Sequence, residues 1–256
     1  MSNPRSSHDE VAPFYDLHAP KNVPEMLDFF AFAVKQHASR EVKEVFELGI
    51  GTGRFAIPLA QRGYRLSGND GSAKMLDICR KSSEKLKLQI NLKEQWFQDF
   101  AEVEKYDAVV AIFTAIGFLV EDEPIRNCLQ ACLNAVRPGG FVLIDVPNSL
   151  QGLTTPWAGC HFETFAANGM ILERFLEMIP HSLKGIVTYR DRGIIYHQDG
   201  STQTYKEEFF LKLFSLPLLK LLLEPLAFKS MTCYCNWTDR EPMQPPYERL
   251  ILVLEK

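Results

Sequence analysis

Val45-Phe46-Glu47-Leu48-Gly49-Ile50-Gly51-Thr52-Gly53-Arg54 decides the reading of this chain. An apolar strand runs into a glycine-rich turn, and a helix follows. Glycine lets the backbone turn sharply and approach a ligand closely. The helix beyond offers backbone N–H groups that have no intrahelical partner. A dinucleotide fingerprint would need its third glycine where Arg54 stands. A phosphate-binding P-loop is excluded, because no Gly-Lys-Ser/Thr follows. By itself the loop fits either a structural turn or a ligand cradle.

Outward from this loop the pattern is regular. Asn22 to Ala38 reads as a helix, with Asn22 able to cap, Pro24 in the first turn, and Leu27, Phe30, Ala31 and Val34 at helical spacing. Glu44 to Leu48 is the first strand and Phe55 to Arg62 a helix closed by Gly63. Tyr64 to Gly68 is the next strand, Ser72 to Leu86 a helix, and Ile90 to Trp96 a third strand. Tyr106 to Phe113 is a continuous apolar run, as in a strand buried on both faces. Glu121 to Val136 is a helix, stopped by Arg137-Pro138-Gly139-Gly140, and Phe141 to Val146 is a fifth strand. Such alternation means right-handed βαβ units and a parallel sheet.

The regularity breaks after Asn148. Ile171 to Met178, Gly185 to Tyr189, Gly193 to His197 and Thr202 to Glu208 read as strands, with a hairpin at Asp199-Gly200. Alternation resumes with a helix, Leu216 to Leu223, and strands Lys229 to Cys235 and Arg249 to Leu254. We therefore expect one α/β domain over 1–256, carrying residues 150–206 as an insertion.

Composition narrows the function classes. The chain has 256 residues, 46% hydrophobic and 23% charged, which is ordinary for a globular protein with a real core. Its net charge of −4 supplies no field for holding a nucleic-acid backbone, and no local basic patch replaces it. Met1 to Glu10 lacks the apolar core of a signal peptide. Leu211 to Leu223 is too short and too interrupted to span a bilayer. The six cysteines show no CxxC and no zinc spacing, so we expect packing, free thiols and no metal. A cytoplasmic protein, monomeric or homodimeric, is expected.

Candidate ligand residues sit at strand ends. Asp70, in Gly68-Asn69-Asp70-Gly71-Ser72, could accept both hydroxyls of a ribose. Asp99, in Trp96-Phe97-Gln98-Asp99-Phe100, could accept from an exocyclic amine while an aromatic covers a purine. Singly, such aspartates are ordinary turn residues. Together, at the carboxyl ends of parallel strands, they describe one nucleoside site.

This ordered set resembles the class I S-adenosylmethionine-dependent methyltransferases. The carriers are Glu47-Leu-Gly-Ile-Gly-Thr-Gly53, Gly68-Asn-Asp-Gly-Ser-Ala-Lys-Met-Leu76, Asp99-Phe100, Tyr106-Asp107 and Arg137-Pro-Gly-Gly140. The resemblance implies a Rossmann-like, mostly parallel seven-stranded sheet of order 3-2-1-4-5-7-6, with the last strand antiparallel. It implies S-adenosylmethionine as cofactor. Gly49, Gly51 and Gly53 would approach its methionine part, Glu47 would hold the loop or meet the amino group through water, and Asp70 would take the ribose. Met75 and Ile112 would sandwich the adenine, with Asp99 and Phe100 at its edge.

Within that superfamily the chain is most similar to small-molecule methyltransferases, including sugar-amine N-methyltransferases. The carriers are Phe14-Tyr15-Asp16-Leu17, Ile112-Phe113-Thr114-Ala115-Ile116-Gly117-Phe118-Leu119, and Glu207-Glu208 through Leu213-Phe214-Ser215. This similarity nominates Tyr15 as a cofactor contact and the insertion as an antiparallel cover over the acceptor pocket. Trp157 and Tyr196 of the insertion, together with Phe118, are expected to meet the acceptor, a small-molecule amine or hydroxyl. Phe118 stands where such enzymes often carry histidine, and it cannot accept a proton. Transfer would then proceed mainly by positioning, with Tyr15, His161 and His197 the candidates for any base. A non-catalytic cofactor-binding module, or a methyltransferase for protein or nucleic acid, is the alternative.

Overall fold

The computed structural model describes residues 8–18, 22–150, 158–167, 169–245 and 248–256. In chain order the elements are α1 (Tyr15–His18), α2 (Val23–His37), β1 (Glu44–Leu48), α3 (Ala56–Gln61), β2 (Arg65–Asp70), α4 (Ala73–Lys85), β3 (Ile90–Glu94), β4 (Tyr106–Ala111), α5 (Asp122–Ala135) and β5 (Val136–Pro147). Then come β6 (Gly159–Ala167), β7 (Met170–His181), β8 (Ile186–Tyr196), β9 (Thr202–Lys212), α6 (Leu216–Leu223), β10 (Ser230–Tyr234) and β11 (Arg249–Glu255).

The main sheet has seven strands in the order β3-β2-β1-β4-β5-β11-β10. Counting only its own strands, this is the expected 3-2-1-4-5-7-6. β11 runs antiparallel to both of its neighbours, and β1 to β5 pair in parallel. Successive residues of a strand point to opposite faces. Accordingly Val45, Ala108, Val110, Phe141 and Leu143 join one core cluster, with α2, α3 and α4. Phe46, Leu48, Val109, Ala111, Val142 and Ile144 join the other, with α5 and α6. A sheet covered on both faces explains the continuous apolar runs of its strands.

Two expectations are corrected here. Arg137-Pro138-Gly139-Gly140 does not merely stop a helix but forms the start of β5. A Cβ at Gly140 would lie 2.1 Å from the Asp107 carbonyl oxygen, so only glycine admits this approach of β5 to β4. Asp107 accepts the Lys43 and Glu44 N–H groups at 2.9 Å each and Arg137 Nη1 at 3.0 Å. Burial alone would raise its carboxyl, but these donors outweigh burial and hold it below the usual range. The second correction concerns Gly193, expected at the start of a separate strand. It lies inside β8, where the Tyr205 ring packs over it; a Cβ there would lie 2.4 Å from that ring.

β6 to β9 form a separate antiparallel four-stranded sheet, with β8 and β9 joined at the Asp199-Gly200 hairpin. The sheet extends to Lys212, six residues past the expected insertion boundary at 206, because Phe209 and Lys212 are buried. Val11, Phe14 and Leu17 pack onto its Leu172, Ile195 and Tyr205. Lys212 reaches back to Asp122 at 2.7 Å. No described helix is long and apolar enough to cross a membrane.

Candidate active site

The glycine loop crosses the carboxyl end of β1, held to β2. The Gly49 N–H donates to Asn69 Oδ1 at 3.3 Å and the Gly51 N–H to Asp70 Oδ2 at 2.9 Å. Asp70 Oδ1 accepts the Ser72 N–H at 2.9 Å. Ser72 then caps α4, its hydroxyl accepting from Met75 N at 3.2 Å. Each Asp70 oxygen thus spends one lone pair on backbone and keeps another for a ligand hydroxyl. Burial pushes the Asp70 carboxyl up, against the pull of these two N–H groups.

A cavity opens over this loop. It is lined by Gly49, Ile50, Gly51, Thr52, Asp70, Gly71, Ser72 and Met75, by Trp96, Phe97, Ile112, Phe113 and Ala115, and by His8, Tyr15, Arg54 and Phe118. The segment 8–18 lies across it: Ser72 Oγ donates to Asp9, and Thr52 Oγ1 donates to Asp16 Oδ1 at 2.8 Å. Arg54 stands 4.2 Å above the Phe113 ring and 5.5 Å above that of Tyr15, within cation–π range.

The residues anticipated from sequence divide. Tyr15, Gly49, Gly51, Asp70, Met75, Ile112 and Phe118 all line the one cavity. Glu47 lies behind the loop, buried, with Oε2 lacking a hydrogen-bond partner. Burial pushes its carboxyl well above the ordinary range, against the charge of Arg54 and the Ala56 N–H. Gly53 serves packing instead of the cavity, since a Cβ there would lie 2.6 Å from Cys79 Sγ. Phe100 is corrected: its ring stacks on Phe46 at 4.5 Å in the core and does not line the cavity. Asp99 is corrected too, being exposed on a 3₁₀ turn, Phe97–Asp99, that begins where β3 has already ended. That early end turns Trp96 and Phe97 toward the cavity in place of Phe100.

Tyr196 also departs from expectation. It is an exposed residue of β8 whose hydroxyl donates to Glu173 at 2.9 Å, away from the cavity. Trp157 lies outside the described residues. His161 is exposed on β6, and His197 packs 6.2 Å from Phe14 without lining the cavity. His8 was missed. It stands in a polar stretch with no periodicity, so nothing local marks it, and only the fold of 8–18 over the loop brings it in. Cys128 and Cys132 are buried in α5, and no group of metal-ligating side chains is found among the described residues.

The residues fit a nucleoside bearing an amino-acid tail. A Cβ on Gly51 would meet nothing within 4 Å, so the loop leaves room for close backbone contact. Asp70 offers paired acceptors, and Met75 and Ile112 offer apolar walls.

Comparison with known proteins finds a family match and similar folds. Residues 45–140 match the methyltransferase-domain family. A protein of Geobacillus sp. (strain WCH70), provisionally named a methyltransferase, is 22% identical over 87% of this chain and 88% of its own. An S-adenosylmethionine-dependent methyltransferase from Clostridium acetobutylicum superposes with a TM-score of 0.78 at 12% identity, over 96% of this chain and 95% of its own. The sugar N-methyltransferase of Streptoalloteichus sp. superposes with a TM-score of 0.72 at 14% identity, over 92% of this chain and 89% of its own.

Proposed function

Because the chain is an S-adenosylmethionine-dependent methyltransferase, the open question is the acceptor, and we propose that it methylates an amine or hydroxyl of a small molecule. One observation carries the proposal. A single cavity joins the cradle of Gly49, Gly51, Asp70, Met75 and Ile112 to an aromatic chamber of Tyr15, Phe113 and Phe118. A chamber closed by segment 8–18 suits a compact acceptor better than a protein or nucleic-acid surface. The likeness in fold to a sugar N-methyltransferase supports the same class.

When bound, S-adenosylmethionine supplies an activated sulfonium methyl group. Gly49 and Gly51 would hold its amino-acid end, Asp70 its ribose, and Met75 with Ile112 its adenine. Phe118 and Tyr15 would orient the acceptor, and segment 8–18 would exclude water. Since the donor is already activated, orientation and exclusion of water supply most of the acceleration.

The test begins with calorimetry using S-adenosylhomocysteine. Wild-type chain should bind it in the micromolar range and should not measurably bind NAD. Asp70→Ala should cost about 1.5–3 kcal/mol of affinity through lost charge-assisted hydrogen bonds. A panel of amines, sugar amines, phenols and carboxylic acids, read by S-adenosylhomocysteine release, then identifies the acceptor class. Turnover confined to carboxylic acids would overturn it.

A further inference from the structure

A methyl group is received on a lone pair, and a neutral amine or hydroxyl that takes it must shed a proton to end uncharged. His161 and His197 lie off the cavity, and burial pushes the Tyr15 phenol up from its usual range. The imidazole within the cavity is His8. Its ring stands edge-on to Phe118 at 5.2 Å and to Phe209 at 5.0 Å, flanked by two apolar rings. Its Nδ1 lies 3.1 Å from Glu207 Oε2, an ion-pair distance without a hydrogen bond. Glu207 is held in turn, since Oε1 accepts the Val11 N–H at 3.3 Å. A histidine from the start of the chain and a carboxylate from β9 therefore meet beside Phe118, which itself cannot take a proton.

We propose that His8 is the general base of the methyl transfer and that Glu207 is its positioning residue. The proposal rests on the methyltransferase reading above. As the acceptor's N–C or O–C bond forms, the donor's S–C bond breaks and its electron pair stays on sulfur. The acceptor's proton passes to His8. The positive charge thus moves from the sulfonium to the imidazolium, which Glu207 faces. The other ionisable groups around His8 are Asp70 at the end of β2, Tyr15 and His18 on α1, and its neighbour Asp9. Phe118 and Phe209 close the remaining sides without charge.

The experiment has two arms. In the first, histidine side-chain NMR on the chain without ligand, assigned with His8→Gln, follows the His8 ring resonances. Glu207→Gln should move the His8 Nδ1 and Nε2 resonances, and Glu207→Asp should restore most of the wild-type pattern. Unmoved His8 resonances overturn the pairing. The second arm uses the panel acceptor that wild type methylates fastest. His8→Gln should lose a hundredfold or more in kcat, the usual scale for a general base being about 10²–10⁴. S-adenosylhomocysteine affinity should stay within threefold. The alkaline rise of kcat/KM should vanish, and added imidazole should partly rescue His8→Ala. A loss under tenfold, or a rise that persists without His8, overturns the base. Failure of wild type to bind S-adenosylhomocysteine or to methylate any panel member overturns the underlying reading instead, and the NMR arm separates the two cases.

Discussion

The buried Asp145 carboxylate accepts the Phe113 backbone N–H at 3.0 Å, and the same carboxylate is paired with Arg249. Phe113 and the following Thr114 both hold positive φ, +53° and +66°. Neither is glycine, so this left-handed stretch is strained by about 1–3 kcal/mol per residue. It turns the Phe113 ring over the cavity, under Arg54. Asp145, at the heart of β5, is therefore what keeps a cavity-facing loop in shape.

Asp145→Ala should accordingly cost about 3–5 kcal/mol, because it leaves Arg249 partly buried without its partner and the Phe113 N–H without its acceptor. Denaturant unfolding reads the loss. Asp145→Asn keeps the acceptor and removes the charge, and should fall between the two. Equal midpoints for wild type and Asp145→Ala would show that the loop holds without this carboxylate.

Gly51 and Gly53 share positive φ and two residues of sequence, yet they should fail differently. A Cβ at Gly51 enters open cavity, whereas at Gly53 it meets Cys79 and Ile57. Gly51→Ala should weaken S-adenosylhomocysteine binding at least tenfold at a stability cost of about 1 kcal/mol. Gly53→Ala should lose more, about 1–3 kcal/mol, through overpacking. Calorimetry and thermal melts on both variants check it, and a reversed order would reverse the roles given to the two glycines.

What the sequence disclosed follows from the range of the forces involved. β1 is legible to the residue, because a short apolar run before glycines has one reading. The start of α4 is legible to within one residue, since the helix expected from Ser72 begins at Ala73 with Ser72 as its cap. Asp70 is legible because parallel strands place their carboxyl ends together, whereas Met75, on α4, and Ile112 came only through the family resemblance. Phe100 and Asp99 are not, because their placement hangs on where β3 stops, and no local signal separates Glu94 from Trp96. His8, Glu207 and Phe209 were invisible as a set, since only the docking of β9 beside the turn Ala115–Phe118 assembles them. Tyr196 fails for the opposite reason: alternation alone cannot say which face of a second sheet looks inward.

His18 makes stability depend on pH. Burial, reinforced by the Arg174 charge, lowers its pKa to about 4 from an ordinary 6.5. Between these values the unfolded chain takes up a proton that the folded chain refuses. Stability should therefore rise with pH from about 4 to 6.5, by up to about 1.4 kcal/mol per unit, and this contribution is lost as pH falls. In His18→Gln the slope of Tm against pH over that window should flatten. An unchanged slope would mean that His18 titrates normally in the fold.

Phe118 tests whether the aromatic chamber binds the acceptor or the cofactor. Its ring lies 5.2 Å from His8 and 5.5 Å from Phe209, while Phe209 stacks on Tyr189 at 5.1 Å. Phe118 and Phe209 thus flank His8, and an apolar or flat portion of the acceptor would gain from resting on Phe118, the one of them that lines the cavity. Phe118→Ala removes contact area that acts equally on the bound acceptor and the transition state, so KM should rise about tenfold or more while kcat changes little. S-adenosylhomocysteine affinity should stay within threefold, because Met75 and Ile112 are untouched. Phe118→Leu should recover part of the loss by refilling the volume. If kcat falls with KM unchanged, Phe118 acts by holding His8 in place and the chamber is a support for the base instead of a seat for the acceptor.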